Sequence, residues 1–203
     1  MGITERKERE KQEMRDKIID AAISMFLEEG YEKTSIRNIA EKIEYSPATI
    51  YLYYKDKDEL LYDVQKQAFG KLDDVFREKI TAADPFERLE QICHTYVWFG
   101  INNPELYDLM FIIKAPMNAI DDNEWHNGDQ ALNALIGCVT ECLSKQEIRF
   151  SDPRVAALSI WSMGHGLISL NIRCRIKEEL IGDMGKEEII NKCISDYVQL
   201  IKK

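Results

Sequence analysis

The chain has 203 residues, 45% hydrophobic and 31% charged, enough for one medium domain or two small ones with a core that needs neither metal nor disulfide. With only 10 Gly and 5 Pro, long helices are favoured over strands joined by turns. A net charge of −9 speaks against a protein that coats DNA by charge alone, and no unbroken apolar run reaches the roughly 18 residues that cross a bilayer.

Residues 5–29 read as one long helix. Its first half is almost all charge. Its second half places Ile18, Ile19, Ala22, Met25 and Phe26 at helical spacing, and Gly30 supplies the left-handed stop. Acids alternate with bases through the charged turns, which reads as a solvated helix end rather than an arm that follows DNA. That segment holds no apolar signal core, so a cytosolic protein is expected, without a membrane partner. A short helix follows up to Ile43, with Thr34 as its cap and Ile36, Ile39, Ala40 and Ile43 as its inward stripe. After Glu44 and Tyr45, Ser46 caps a second short helix that has Pro47 in its first turn and runs to Tyr54. Asp56 and Glu59 then form a capping box that opens a long helix over 57–80.

Beyond this point Asp84-Pro85, Asn103-Pro104 and Asp152-Pro153 each set a capping side chain before a proline, opening helices near 85–102, 104–114 and 153–176. Residues 124–146 and 186–202 supply two more, with loops at 115–123 and 182–185. The expectation is an all-α chain of about nine helices: a helix-turn-helix domain over 1–60 and a larger helical bundle over 61–203. Five scattered cysteines without a C-x-x-C pair read as reduced and mostly buried. Cys138 and Cys142 lie one turn apart but lack a third ligand at fitting spacing, so neither metal nor cofactor is expected.

Two short helices with a tight turn between them, flanked by longer ones, are the minimal arrangement that sets a helix into the major groove. Small Ala48 and Thr49 at the start of the second allow close approach to base edges, and Tyr51 and Tyr53 offer rigid hydroxyls. Arg37 projects from the preceding helix and Lys57 opens the next. From Lys33 to Lys57 there are five basic and three acidic residues, so the chain's acidity lies mostly elsewhere. The ordered series Phe26-Leu27-Glu28-Glu29-Gly30-Tyr31, Thr34-Ser35-Ile36-Arg37-Asn38-Ile39-Ala40, Ser46-Pro47-Ala48-Thr49-Ile50-Tyr51-Leu52-Tyr53-Tyr54 and Lys55-Asp56-Lys57-Asp58-Glu59-Leu60 resembles the TetR family of regulators. The resemblance implies that Ser35, Arg37, Pro47, Ala48, Thr49, Tyr51, Tyr53 and Lys57 face DNA, while Ile36, Ile39, Ile50 and Leu60 pack the small core. Tyr54 stands where the family more often has Phe and reads as core. Glu44 replaces the glycine of the family's turn. Trp161-Ser162-Met163-Gly164-His165-Gly166-Leu167 resembles the Trp-His-Gly segment of one C-terminal subgroup.

The same resemblance implies that the remaining two thirds bind a small-molecule inducer and dimerise. Aromatic and sulfur side chains crowd that part, and Trp98, Asn102, Met110, Trp125, Trp161 and His165 are candidates for lining an apolar or aromatic ligand. Taken singly, each reads as core, and His165 as a satisfied core or interface histidine. Ile190, Ile194, Tyr197 and Ile201, with Ile189, Cys193 and Leu200 alongside, make the last helix apolar over a wider face than one neighbour buries. It is expected to form a four-helix dimer interface with the helix near 153–176. The expected function is a repressor that binds a pseudo-palindromic operator in double-stranded DNA as a homodimer and is released by its inducer. The alternatives are a helical small-molecule enzyme or a ligand-free DNA-binding protein. For the enzyme no Gly-rich phosphate loop, G-x-S-x-G or H-E-x-x-H is present, so no catalytic residue is nominated.

Overall fold

The computed structural model describes residues 2–114 and 126–203. Among them are ten helices and no strand: α1 (Ile3–Glu29), α2 (Ile36–Lys42), α3 (Pro47–Ile50), α4 (Lys57–Lys79), α5 (Pro85–Asn102), α6 (Pro104–Phe111), α7 (Asp129–Ser144), α8 (Pro153–Ile172), α9 (Glu178–Ile181) and α10 (Lys186–Ile201). The all-helical expectation holds, with one helix more than the sequence suggests; α9 carries no apolar periodicity that announces it. The chain divides into two compact units, Met1–Ala68 with Glu105–Asn127 and Phe69–Pro104 with Gly128–Lys203. The division falls within α4.

In the first unit Ile18, Ala22 and Met25 of α1, Ile39 and Ala40 of α2, Ile50 of α3 and Leu60, Leu61 and Val64 of α4 share one buried cluster, joined by Leu109 of α6. Gln65 is 1% exposed within this apolar setting. Its Nε2 donates to the Leu109 carbonyl at 2.5 Å, while its Oε1 is buried without a hydrogen-bond partner among the described residues. The cap of α2 is Ser35, not Thr34. Ser35 Oγ accepts from Asn38 N at 3.2 Å, whereas Thr34 is buried and turns its hydroxyl back to the Gly30 carbonyl at 3.0 Å. α3 stops at Ile50 rather than Tyr54. Leu52 N and Tyr53 N bond the carbonyls three residues back, at 3.2 and 2.8 Å, and so tighten the chain out of the α-helix.

In the second unit α5 packs on α7, α8 and α10. The caps at Asp84 and Asp152 form as the sequence implies, accepting from Phe86 N and Glu87 N at 3.0 Å and from Arg154 N at 2.8 Å. Asn103 instead donates its amide to the Phe99 carbonyl at 2.9 Å and closes α5. Gly100 is required by its neighbour, because a Cβ there would lie 2.7 Å from Cδ1 of Ile168. α8 ends at Ile172 and not at 176, since Cys174 turns left-handed (φ 53°) and Arg175 N closes on the Leu170 carbonyl at 2.8 Å. Although it holds no unbroken apolar run, α8 is 20 residues long and reaches a mean hydropathy of 1.3, enough by length and composition to cross a bilayer. One third of that stretch is buried. Three cysteines, Cys93, Cys138 and Cys142, are buried; Cys174 and Cys193 are exposed. Among the described residues, no three His, Cys, Asp or Glu side chains are grouped as metal ligands.

Candidate nucleic-acid interface

The four residues of α3 cannot hold a helix by propensity, so its neighbours fix it. Ser46 Oγ accepts from Thr49 N at 3.3 Å, Pro47 occupies the first turn, and Ile50 is fully buried. Tyr54 is buried directly after the helix and donates its hydroxyl to Asp63 Oδ2 at 3.0 Å. Burial, with Asp63 beside it, holds that phenol far above its ordinary value. The turn into α3 needs a left-handed residue, and Glu44 adopts that conformation itself (φ 62°) in place of a glycine.

These anchors leave a continuous outer surface. Ser35, Arg37 and Ala48 are exposed, Tyr45 is 41% exposed, Tyr51 56% and Leu52 80%. Pro47 and Thr49 are half-exposed, and the Ser46 and Thr49 hydroxyls lie 3.1 Å apart. Arg37 Nε is 3.0 Å from Glu41 Oε1 along the open face of α2. Tyr53 differs from Tyr51, since it packs partly against the core. Lys57 is engaged inside the protein. Its Nζ donates to the carbonyls of Tyr31 at 2.9 Å and Thr34 at 3.1 Å and sits 4.0 Å from the centre of the Tyr31 ring. Tyr31 in turn donates to Asp58; burial, then that bond, pushes its phenol far up. Asp56 caps α4 by accepting from Glu59 N at 2.8 Å, while the Glu59 carboxylate reaches back to Lys55 N at 2.6 Å.

Tyr45 and Leu52 lie on this surface although the sequence motif does not single them out. Large aromatic and aliphatic groups left exposed beside a helix-turn-helix are the signal that marks them.

Residues 18–64 match the description "Bacterial regulatory proteins, tetR family", and residues 89–186 match "Tetracyclin repressor-like, C-terminal domain". The fatty acid metabolism regulator protein of Bacillus subtilis (strain 168) is 31% identical over 152 residues, covering 71% of this chain and 76% of that protein. The chain belongs to the TetR family. It is therefore a transcriptional regulator of the DNA-binding type and not an enzyme. A second relative, the IcaR negative regulator of the Staphylococcus epidermidis icaADBC biofilm operon, is 40% identical over 47 residues, 23% of this chain and a quarter of that protein. The solved structure of the fatty acid degradation regulator FadR from Bacillus halodurans shares the TetR-family fold, with a TM-score of 0.67 at 21% identity over 92% of this chain and 93% of that one.

The effector-side residues expected from sequence are dispersed. Trp161 and His165 meet on α8, their rings 5.0 Å apart. The Tyr96 hydroxyl, from the aromatic stretch Tyr96-Val97-Trp98-Phe99, joins both: Trp161 Nε1 donates to it at 3.1 Å and it lies 3.0 Å from His165 Nε2. Burial depresses the His165 pKa from the usual 6.5 to about 4, so the ring is uncharged at neutral pH. Trp98 turns to α10 instead and donates to Asn191 Oδ1 at 2.7 Å. Asn102 is exposed, Met110 is buried in the first unit, and Trp125 lies outside the described residues. Alongside Trp98, Ser195 donates to Glu90 Oε1 at 3.1 Å, which leaves His94 Nε2, 3.2 Å away, as donor to Ser195. A depression of about 600 Å³ opens beside this chain of bonds, lined by Gly185, Glu187, Glu188, Asn191, Lys192 and Ser195.

Proposed function

We propose that this regulator is a homodimeric repressor working in the cytosol, holding a pseudo-palindromic operator and released by an apolar small-molecule inducer. Residues 1–60 carry the DNA contact, and residues 61–203 bind the inducer and dimerise. The observation that carries the DNA assignment is Tyr51, 56% exposed between the buried anchors Ile50 and Tyr54. A large side chain held open there supplies a rigid hydroxyl for a phosphate while Ala48 and Thr49 approach base edges. Ser35, Arg37, Pro47 and Tyr53 complete the contact. Lys57 supports it from behind by fixing the Tyr31 and Thr34 carbonyls.

The dimer assignment rests on α8 and α10. Val155, Leu158 and Leu170 of α8 are 58%, 61% and 48% exposed and Leu200 of α10 is 67% exposed, with exposed Ser162 and Gly166 between the first group. The incomplete burial of so apolar a helix is explained by a second copy covering it. For the inducer, similarity to a fatty acid metabolism regulator favours an acyl chain, with Trp161, His165 and Tyr96 as its polar recognition group. An inducer that prefers one separation of the two α3 helices shifts the population away from the operator-bound form.

Fluorescence anisotropy against DNA upstream of the regulator's own gene, with competitor DNA, tests the reading. Selective binding at two protomers per site is expected, weakened by about tenfold or more in Tyr51→Ala. Unchanged binding by Tyr51→Ala would falsify the placement of the DNA contact, and addition of acyl compounds to the same complex screens the inducer.

A further inference from the structure

We propose that the first turns of α1 form a second DNA contact, in which Lys7 and Lys11 hold backbone phosphates outside the half-site read by α3. This rests on the operator reading above and extends it. Thr4 through Glu13 is exposed, and the helix enters the core only at Met14. At 1.5 Å per residue these ten residues span about 15 Å, the axial length of about four base pairs.

Its charges are sorted by face. Arg6 Nε meets Glu10 Oε1 at 2.7 Å and Arg9 Nε meets Glu13 Oε1 at 3.4 Å, so these arginines are offset by acids one turn on. Lys7 and Lys11 are exposed and carry no ion pair among the described residues. They lie four residues apart in the same stripe as Ile18, Ala22 and Met25, which are buried against α2 and α3. The two ammonium groups therefore leave α1 on the side where the helix-turn-helix lies. A second contact fixes how close that is. Lys17 Nζ sits 4.8 Å from the ring centre of Tyr45, the residue just before the α3 cap. The projecting helix thus starts at the edge of the α3 surface, and a duplex seated on that surface continues beside it. Phosphates are the complementary charge, and their spacing suits lysines one helical turn apart. The even count of acids and bases conceals this, because Glu10 and Glu13 are taken up by Arg6 and Arg9 and Glu5 by the Gly2 N–H.

The test uses the full chain and an operator located by footprinting. One duplex ends at the operator edges, and another adds about 20 Å, or six base pairs, on each side. Lys7→Gln with Lys11→Gln is expected to make the log-log salt dependence on the long duplex shallower by about 3 to 4, since each lost phosphate contact removes about 0.9 and a dimer has four. Wild type should lose the same amount on the short duplex, and the variant should not distinguish the two. Arg6→Gln with Arg9→Gln is expected to leave the slope unchanged. The proposal is overturned if the lysine variant keeps the wild-type slope while Tyr51→Ala still weakens binding. It is also overturned if the arginine variant lowers the slope equally, which would assign the effect to bulk charge. If wild type protects no sequence at all, the operator reading fails and this contact falls with it. Circular dichroism of each variant confirms that helix content is retained.

Discussion

At the scale of single residues, strain and desolvation decide the outcome. Glu44 is held at φ 62°, where a side chain costs about 1–2 kcal/mol and glycine costs only its entropy. Glu44→Gly should therefore raise stability by about 0.5–1 kcal/mol in urea melts while leaving operator affinity intact. His165 makes the opposite kind of prediction. Its pKa is depressed from 6.5 to about 4 in the folded chain, so its contribution is complete above pH 6.5 and is lost as the pH falls toward 4. Discounted for partial exposure, this amounts to about 1–2 kcal/mol. Thermal melts at pH 7.5 and 4.5 should show a smaller drop for His165→Gln than for wild type; equal drops would refute neutral burial of the ring.

Whole elements depend on their caps more than on their length. α3 has a single turn, and Ser46→Ala removes the acceptor for Thr49 N. The expected cost is about 1 kcal/mol in global stability. Operator affinity should fall by a larger factor, because the lost cap frees the reading surface first; stability and anisotropy measured on the same preparation separate the two effects. The elements themselves are legible in the sequence wherever a side chain acts on its own neighbours, as Asp84, Asp152 and Ser46 do. Legibility ends where two candidates adjoin. Thr34 and Ser35 are both good caps, and only the burial of Thr34 beneath Gly30 decides between them. The effector-side cluster is legible only in part. Trp98 and Trp161 look alike in sequence, yet one indole donates to Asn191 and the other to Tyr96. Periodicity tells which residues share a face and not which helix that face meets. Gln65 is open to detection as the polar member of the stripe Leu61, Gln65, Ala68, Leu72.

For the whole molecule, net charge and oligomeric state are the properties that matter. A chain at −9 is repelled by DNA at long range, and only charges within about 8–10 Å of a phosphate escape screening at physiological salt. Non-specific binding should be correspondingly weak. The uncovered apolar side chains of α8 are the second whole-molecule feature. Val155→Asp with Leu158→Asp places two charges on each side of the proposed interface. Sedimentation should then show monomers, while the helix content and the core-packed anchors of α3 are unaffected. A variant that still sediments as a dimer would move the interface elsewhere.

Because α3 is anchored by the Ser46 cap and by the buried Ile50 and Tyr54, the outward side chains of Ala48 and Thr49, and of Tyr51 and Leu52 just after the helix, contribute little to folding. Descendants of this gene are free to change those four positions one at a time without passing through an unfolded intermediate. Binding-site preference is thus a trait that drifts and is selected independently of the rest of the protein, and duplicated copies can acquire separate target genes while keeping the same chassis.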